Sequence, residues 1–168
     1  MSKLAEPVTK THAERTEVGR KALSRLPGAE YADAYRIASA PGVTAEQWAR
    51  RAFESGPHAQ RQLFSLIVWR GLLGLRLVAP DLPNVAGWAI AENQPAILVL
   101  RAEGRLVAGR LIVEASAAHT TLTTLLRYER PAARRVWSVL GNAHRVVAPR
   151  ILERARRSLT RAQMIRPA

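Results

Sequence analysis

From Val85 to Tyr128 the chain reads as four strand-length segments in succession, 85–93, 96–102, 106–115 and 119–128, and Pro131 then opens a helix that continues to about Ser158. Asn93-Gln94-Pro95 and Glu103-Gly104 carry turn chemistry, and strands joined by such short turns pair antiparallel. A meander followed directly by one long helix leaves few folds open, because the helix has to cover one face of the sheet. In the third segment Val107, Gly109, Leu111 and Val113 alternate with Leu106, Ala108, Arg110, Ile112 and Glu114. The first set is expected to face the helix, and the second, with Arg110 and Glu114, to face water.

The upstream half adds one strand and two helices. Tyr31, Tyr35 and Ile37 fall at even steps within 29–39 and suggest a strand. Thr44-Ala45-Glu46-Gln47 is a capping box, and Ala45, Trp48, Ala49, Ala52 and Phe53 then lie on one helical face. A second helix is expected over 58–77, apolar around much of its circumference, with Gly71 and Gly74 weakening it. Residues 1–28 have mixed charge and end on Pro27-Gly28, which reads as a flexible arm dispensable for stability, and 161–168 read as a basic tail. The domain proper is therefore 29–160. The expected class is α+β: a curved antiparallel sheet wrapped around a long C-terminal helix, with two short helices closing one end.

Composition removes several chemistries. The 168 residues include no cysteine, which excludes disulfides, thiolate zinc sites and cysteine nucleophiles. No secretory leader is visible, and the most apolar run, 63–79, is interrupted by Arg70 and Arg76, so a cytoplasmic protein without a transmembrane segment is expected. There is no phosphate loop, dinucleotide fingerprint or nucleophile elbow. His12, His58, His119 and His144 lack ligand spacing, so neither a metal nor a cofactor is expected. The net charge is +13, but 23 of the 26 basic residues are arginine, as a GC-rich genome would produce, so the count alone does not argue for phosphate recognition. Distribution is more informative: residues 130–168 hold ten arginines against Glu153, a local charge of 10 − 1 = +9. Arg150, Arg154, Arg157 and Arg161 form one stripe, expected to give salt-sensitive attraction to anionic surfaces without specific nucleic-acid binding.

On the last helix Trp137, Leu140, His144, Val147, Ile151 and Ala155 recur at steps of three and four and are expected to form its buried stripe. An imidazole set in such a stripe either satisfies a core group or lines a space that a ligand can enter, which makes His144 the candidate acid-base or binding residue. Arg145 points about 100° away around the helix. Arg70, inside the most apolar helix, would need a partner if buried, with Glu92 and Asp33 the available acids. Trp48, Trp69, Trp88 and Trp137 sit on separate elements, and Tyr128 ends the last strand. Arg70, Trp69, Trp88, Tyr128, Trp137 and His144 are the expected ligand-binding set. As an aromatic wall with few polar groups they suit a flat or lipid-like molecule, and as ordinary core residues they would do nothing but pack.

Thr121-x-Thr123 and Arg127-Tyr128 on the last strand, then Trp137, then His144-Arg145 with Pro149, give the chain a resemblance to the helix-grip superfamily, which contains START lipid-binding domains, polyketide cyclases and birch-pollen-allergen-like proteins (SRPBCC). Within it the chain is similar to a bacterial branch known as a domain of unknown function. The resemblance covers about 29–159, with a four-stranded meander where many relatives have six strands. It implies a pocket between sheet and helix but no particular reaction. Three functions are therefore expected in order: binding of a hydrophobic or aromatic small molecule; a cyclase or dehydratase-like reaction with His144 as acid-base; and attraction of an anionic surface or nucleic acid to the last helix. Whether the chain forms a homodimer is left open.

Overall fold

The four-strand meander exists and is the middle of a larger sheet. The computed structural model describes residues 12–55, 70–79 and 81–165. Its elements are β1 (Glu14–Thr16), α1 (Arg20–Leu23), β2 (Tyr31–Ala38), α2 (Ala45–Glu54), β3 (Leu75–Arg76), β4 (Asn84–Val85), β5 (Trp88–Gln94), β6 (Ile97–Gly104), β7 (Val107–Ala115), β8 (His119–Tyr128) and α3 (Pro131–Met164). All pairings are antiparallel, and the sheet is open, in the order β1-β2-β8-β7-β6-β5-β4, with β3 joined to β6. The class is α+β, an eight-stranded antiparallel sheet against which one long helix packs, an architecture consistent with a helix grip. Both edges are short, three residues in β1 and two in β4, which limits the unpaired backbone offered to other chains.

The capping box forms as read: the Thr44 hydroxyl accepts from the Gln47 backbone N–H, and the Gln47 side chain accepts from the Thr44 N–H. Ion pairs from Arg50 to Glu46 and Glu54 tie the exposed face of α2 together. Its buried face, with Ala45, Trp48 and Ala49, joins Val107, Leu111 and Val113 of β7 in the main core. These β7 residues are the set expected to face inward.

The opposite face of the sheet does not meet water as expected. Ala108 and Ile112 are fully buried with Val99 and Leu125, because Ala22 and Leu26 from the N-terminal segment pack on them. Residues 12–28, read from sequence as part of a flexible arm, thus contribute β1, α1 and the apolar cover of the outer face. Arg25 pairs with Glu92, and Arg110 with Glu103, rather than standing alone in solvent. The sequence signal was weak because Val18, Ala22 and Leu26 stand at steps of four but make only a short run among charged residues, with Val18 no more than partly buried.

Most of the second expected helix, with Trp69 and His58, lies outside the described residues. A helical turn at 70–72 is followed by Gly74 at φ 62°, and Leu75 and Arg76 then pair with Gly104 and Glu103. Helical geometry among the described residues of this segment therefore ends at 72, short of Leu77, where the sequence placed the helix end. A left-handed glycine breaks the helical hydrogen-bond run and turns the chain into the sheet. At Gly104 a Cβ would sit 2.5 Å from the Gly74 carbonyl oxygen, so only glycine permits that crossing.

The last helix runs on to Met164, so 161–164 belong to it and not to a separate tail. It lies along β2. Tyr31 meets Trp137, Asp33 meets His144, the Tyr35 hydroxyl donates to the Arg145 carbonyl, and Arg156 donates to the Ala38 carbonyl. A strand advances about 3.3 Å per residue and a helix about 1.5 Å, so a short strand is matched by a helical stretch about twice as long in residues. Its buried residues are Ala133, Trp137, Gly141, Ala148, Leu152, Ala155 and Leu159. The expected stripe is rotated from this by about half a residue step, since Leu140, His144, Val147 and Ile151 are only partly buried. Gly141 is buried under the Trp137 ring, where a Cβ would lie 3.2 Å from the indole Nε1, a packing that hydrophobicity alone does not reveal.

Candidate functional site

Tyr31, Asp33, Tyr35 and Ile37 alternate along β2 and all face α3, an arrangement imposed by the period of two. Asp33 is the exceptional member, a carboxylate whose side chain has no solvent exposure. It accepts a hydrogen bond from the Tyr31 hydroxyl at 2.6 Å and lies 3.3 Å from His144 Nε2. Thr124 stands directly opposite on β8. Burial by itself pushes the Asp33 carboxyl up, but the hydrogen bond and charge of His144, the Tyr31 hydroxyl and Thr124 together hold it below the usual carboxylate range. The Thr124 hydroxyl acts by proximity, because it makes no hydrogen bond of ordinary geometry.

The rings around Asp33 are packed in defined geometry. Tyr31 meets Trp137 edge to face at 4.9 Å between centroids, Trp137 meets His144 at 5.4 Å, and Tyr31 meets His144 at 6.1 Å. Such aromatic pairs add about 0.5–1.5 kcal/mol each beyond area burial. Burial, then the hydrogen bond to Asp33, pushes the Tyr31 phenol well above its ordinary range. Tyr31 therefore stays a neutral donor with its proton committed to Asp33, and it serves neither as a base nor as a nucleophile.

Helix rotation decides what His144 can do. Because it sits at the border of the buried stripe, its side chain keeps 13% exposure while Asp33 keeps none. Nε2 is turned to the carboxylate, and Nδ1 has no hydrogen bond among the described residues and is not among their buried unpaired atoms, which are Trp48 Nε1, Thr124 Oγ1 and Trp137 Nε1. In the neutral imidazole a carboxylate at Nε2 selects the tautomer with its proton there, which makes Nδ1 the acceptor nitrogen.

Of the six residues expected to bind a ligand, the structure brings together Trp137 and His144 and adds Tyr31 and Asp33. Trp88 is 2% exposed and packs within the core: a Cβ on Gly109 would lie 2.8 Å from its ring. Gly109 pairs with Ala102 on one side and Leu126 on the other, and the missing side chain of Gly109 is what leaves room for the indole. Tyr128 lies two inward-facing positions beyond Thr124 on β8, roughly 13 Å along the strand. Its ring stacks under the Arg134 guanidinium at 5.5 Å, beside Glu30, at an open depression of about 260 Å³. Arg70 is exposed, and the two acids proposed for it are engaged elsewhere, Glu92 by Arg25 and Asp33 by His144 and Tyr31. Of its two readings, a paired buried guanidinium or an arginine snorkelling at the edge of an apolar surface, its exposure leaves the second. Trp69 lies outside the described residues. Thr123 faces the outer layer beside Leu125, away from the site.

The clue available in the sequence was the placement of Asp33 between Tyr31 and Tyr35 on one face of an apolar strand. Among the described residues no cluster of His, Asp and Glu could hold a metal ion, and no helix is long and apolar enough to cross a membrane. Comparison of the chain with protein-family models, curated proteins and solved structures finds no match, so the chemistry of the site has to be read from its own geometry.

Proposed function

We propose that the protein binds a flat, largely apolar molecule carrying a hydroxyl group, at the junction of β2 and α3 where Tyr31, Trp137 and His144 meet. The observation that supports this best is the buried Asp33. A carboxylate taken out of water costs several kcal/mol before its partners compensate, and a purely packed core would do as well with an apolar residue there. Its effect is to fix the His144 ring and the Tyr31 hydroxyl, which leaves one oriented acceptor, Nδ1, beside an aromatic wall. The helix-grip resemblance supports the same reading, since proteins of that architecture hold ligands between sheet and helix. Naphthol and its methyl ether provide the test, titrated against tryptophan fluorescence. Naphthol is expected to bind about threefold to tenfold more tightly, the value of one neutral hydrogen bond. Equal affinities, or no binding by either, would reject the site.

The Asp33–His144 pair also favours a second reading, in which His144 removes a proton from the bound molecule through Nδ1 and Asp33 stabilises the imidazolium that forms. Under it, His144→Gln abolishes turnover while binding persists.

A further inference from the structure

The face of α3 turned away from the sheet carries a pattern that the ligand site does not use. Arg150, Arg154, Arg157 and Arg161 are exposed and, among the described residues, have no carboxylate partner, whereas Arg134 is tied to Glu30 and Arg156 to the Ala38 carbonyl. At 100° per residue these four share a narrow stripe. Val139, Val146 and Met164 lie on the same stripe, 71%, 48% and 76% exposed. Arg51 of α2 donates to the Ser158 hydroxyl, which places a fifth guanidinium beside this stripe. Glu153, the one acid of α3, is engaged by the Ala13 N–H and by His12.

Like charges at spacings of three and four repel, and exposed valines add nothing to the fold, so this face costs the isolated protein stability. We infer that the outer face of α3 docks on an anionic membrane surface, arginines among the headgroup phosphates and the aliphatic side chains at the boundary with the acyl chains. Charge complementarity requires a polyanion. The aliphatic groups on the same stripe select a bilayer among polyanions: a duplex backbone offers Val139, Val146 and Met164 no apolar region to enter, and a single strand would be met by exposed aromatic groups, which this face lacks. The docking is peripheral and independent of the ligand site.

Flotation of the full chain with phosphatidylcholine vesicles, with and without phosphatidylglycerol, tests this. Binding is expected only to the anionic vesicles and is expected to weaken with salt as screening shortens the range of attraction. Each arginine is expected to contribute roughly fivefold. Replacing Arg150, Arg154, Arg157 and Arg161 together by Gln should then lower affinity by several hundredfold, and Arg154→Gln with Arg161→Gln alone by about twenty-five-fold. Val139→Ser with Val146→Ser and Met164→Ser should weaken binding while keeping the anionic preference. No flotation at low salt, equal binding to neutral vesicles, or unchanged binding by the arginine variants would overturn the inference. So would duplex DNA displacing the protein from vesicles at equal phosphate concentration, which would assign the face to nucleic acid.

Discussion

Asp33→Asn changes the charge of the buried network and almost nothing of its shape. Asp33 accepts from Tyr31 at 2.6 Å and faces His144 Nε2 at 3.3 Å. A hydrogen bond to a charged group contributes about 1.5–3 kcal/mol and a neutral one about 0.5–1.5. The carboxamide oxygen can still take the Tyr31 proton, but its NH₂ group can meet Nε2 only if the imidazole moves its own proton to Nδ1. Losing charge assistance at one bond and rearranging the other sums to about 1–3 kcal/mol at neutral pH. That corresponds to a fall in thermal midpoint of roughly 3–10 °C for a chain of this size. The pH dependence supplies a second check. The folded Asp33 carboxyl titrates below its ordinary 3.8, so its contribution is present above 3.8 and is lost as pH falls through the folded value. Urea unfolding of wild type and variant, at neutral pH and in acid, should show a difference that shrinks on acidification. With Tyr31→Phe added, the two losses should be less than additive, because the second substitution removes a bond already weakened. A variant as stable as wild type at neutral pH, or a difference that does not shrink in acid, would refute the account of the network.

Gly109→Ala should destabilise by about 1–3 kcal/mol and shift tryptophan emission, since the new methyl meets the Trp88 ring at 2.8 Å; an unchanged thermal midpoint and spectrum would show that the indole moves freely. Removing residues 1–27 strips Ala22 and Leu26 from the outer face and should cost roughly 3–6 kcal/mol in chemical unfolding, with increased binding of an apolar dye to the exposed layer; a truncated chain of wild-type stability would restore the flexible-arm reading. Thr44→Ala removes the capping box of α2 and should cost about 1 kcal/mol by urea denaturation, with no effect on naphthol affinity.

The meander, the capped α2 and the long helix were legible because each announces itself in period or local chemistry: alternation in 106–115, Thr44 with Gln47, Pro131 at the helix start. The site was legible in part. His144 stood out as polar within an apolar period, and Trp137 as its neighbour one face along. Asp33 was noticed only as a partner for Arg70, because pairing across 111 residues depends on which strand the helix lies along, and no local pattern encodes that. Arg70 and Trp88 misled for opposite reasons. Arg70 has buried-looking neighbours but lies at an exposed turn, while Trp88 fills the space that Gly109 leaves, a fit visible only once the register of β5, β6 and β7 is known.

In the proposed site His144 offers Nδ1 to a ligand while Asp33 holds its other nitrogen. His144→Gln tests it most directly, because the amide can still donate to Asp33 but no longer presents an acceptor where Nδ1 stood. Affinities for naphthol and its methyl ether, measured beside the thermal midpoint, should show the wild-type preference for naphthol lost in the variant while the midpoint stays within a few degrees, about 1 kcal/mol of stability. A variant that keeps the preference but loses several kcal/mol of stability would make His144 a core residue and the site a packed interface.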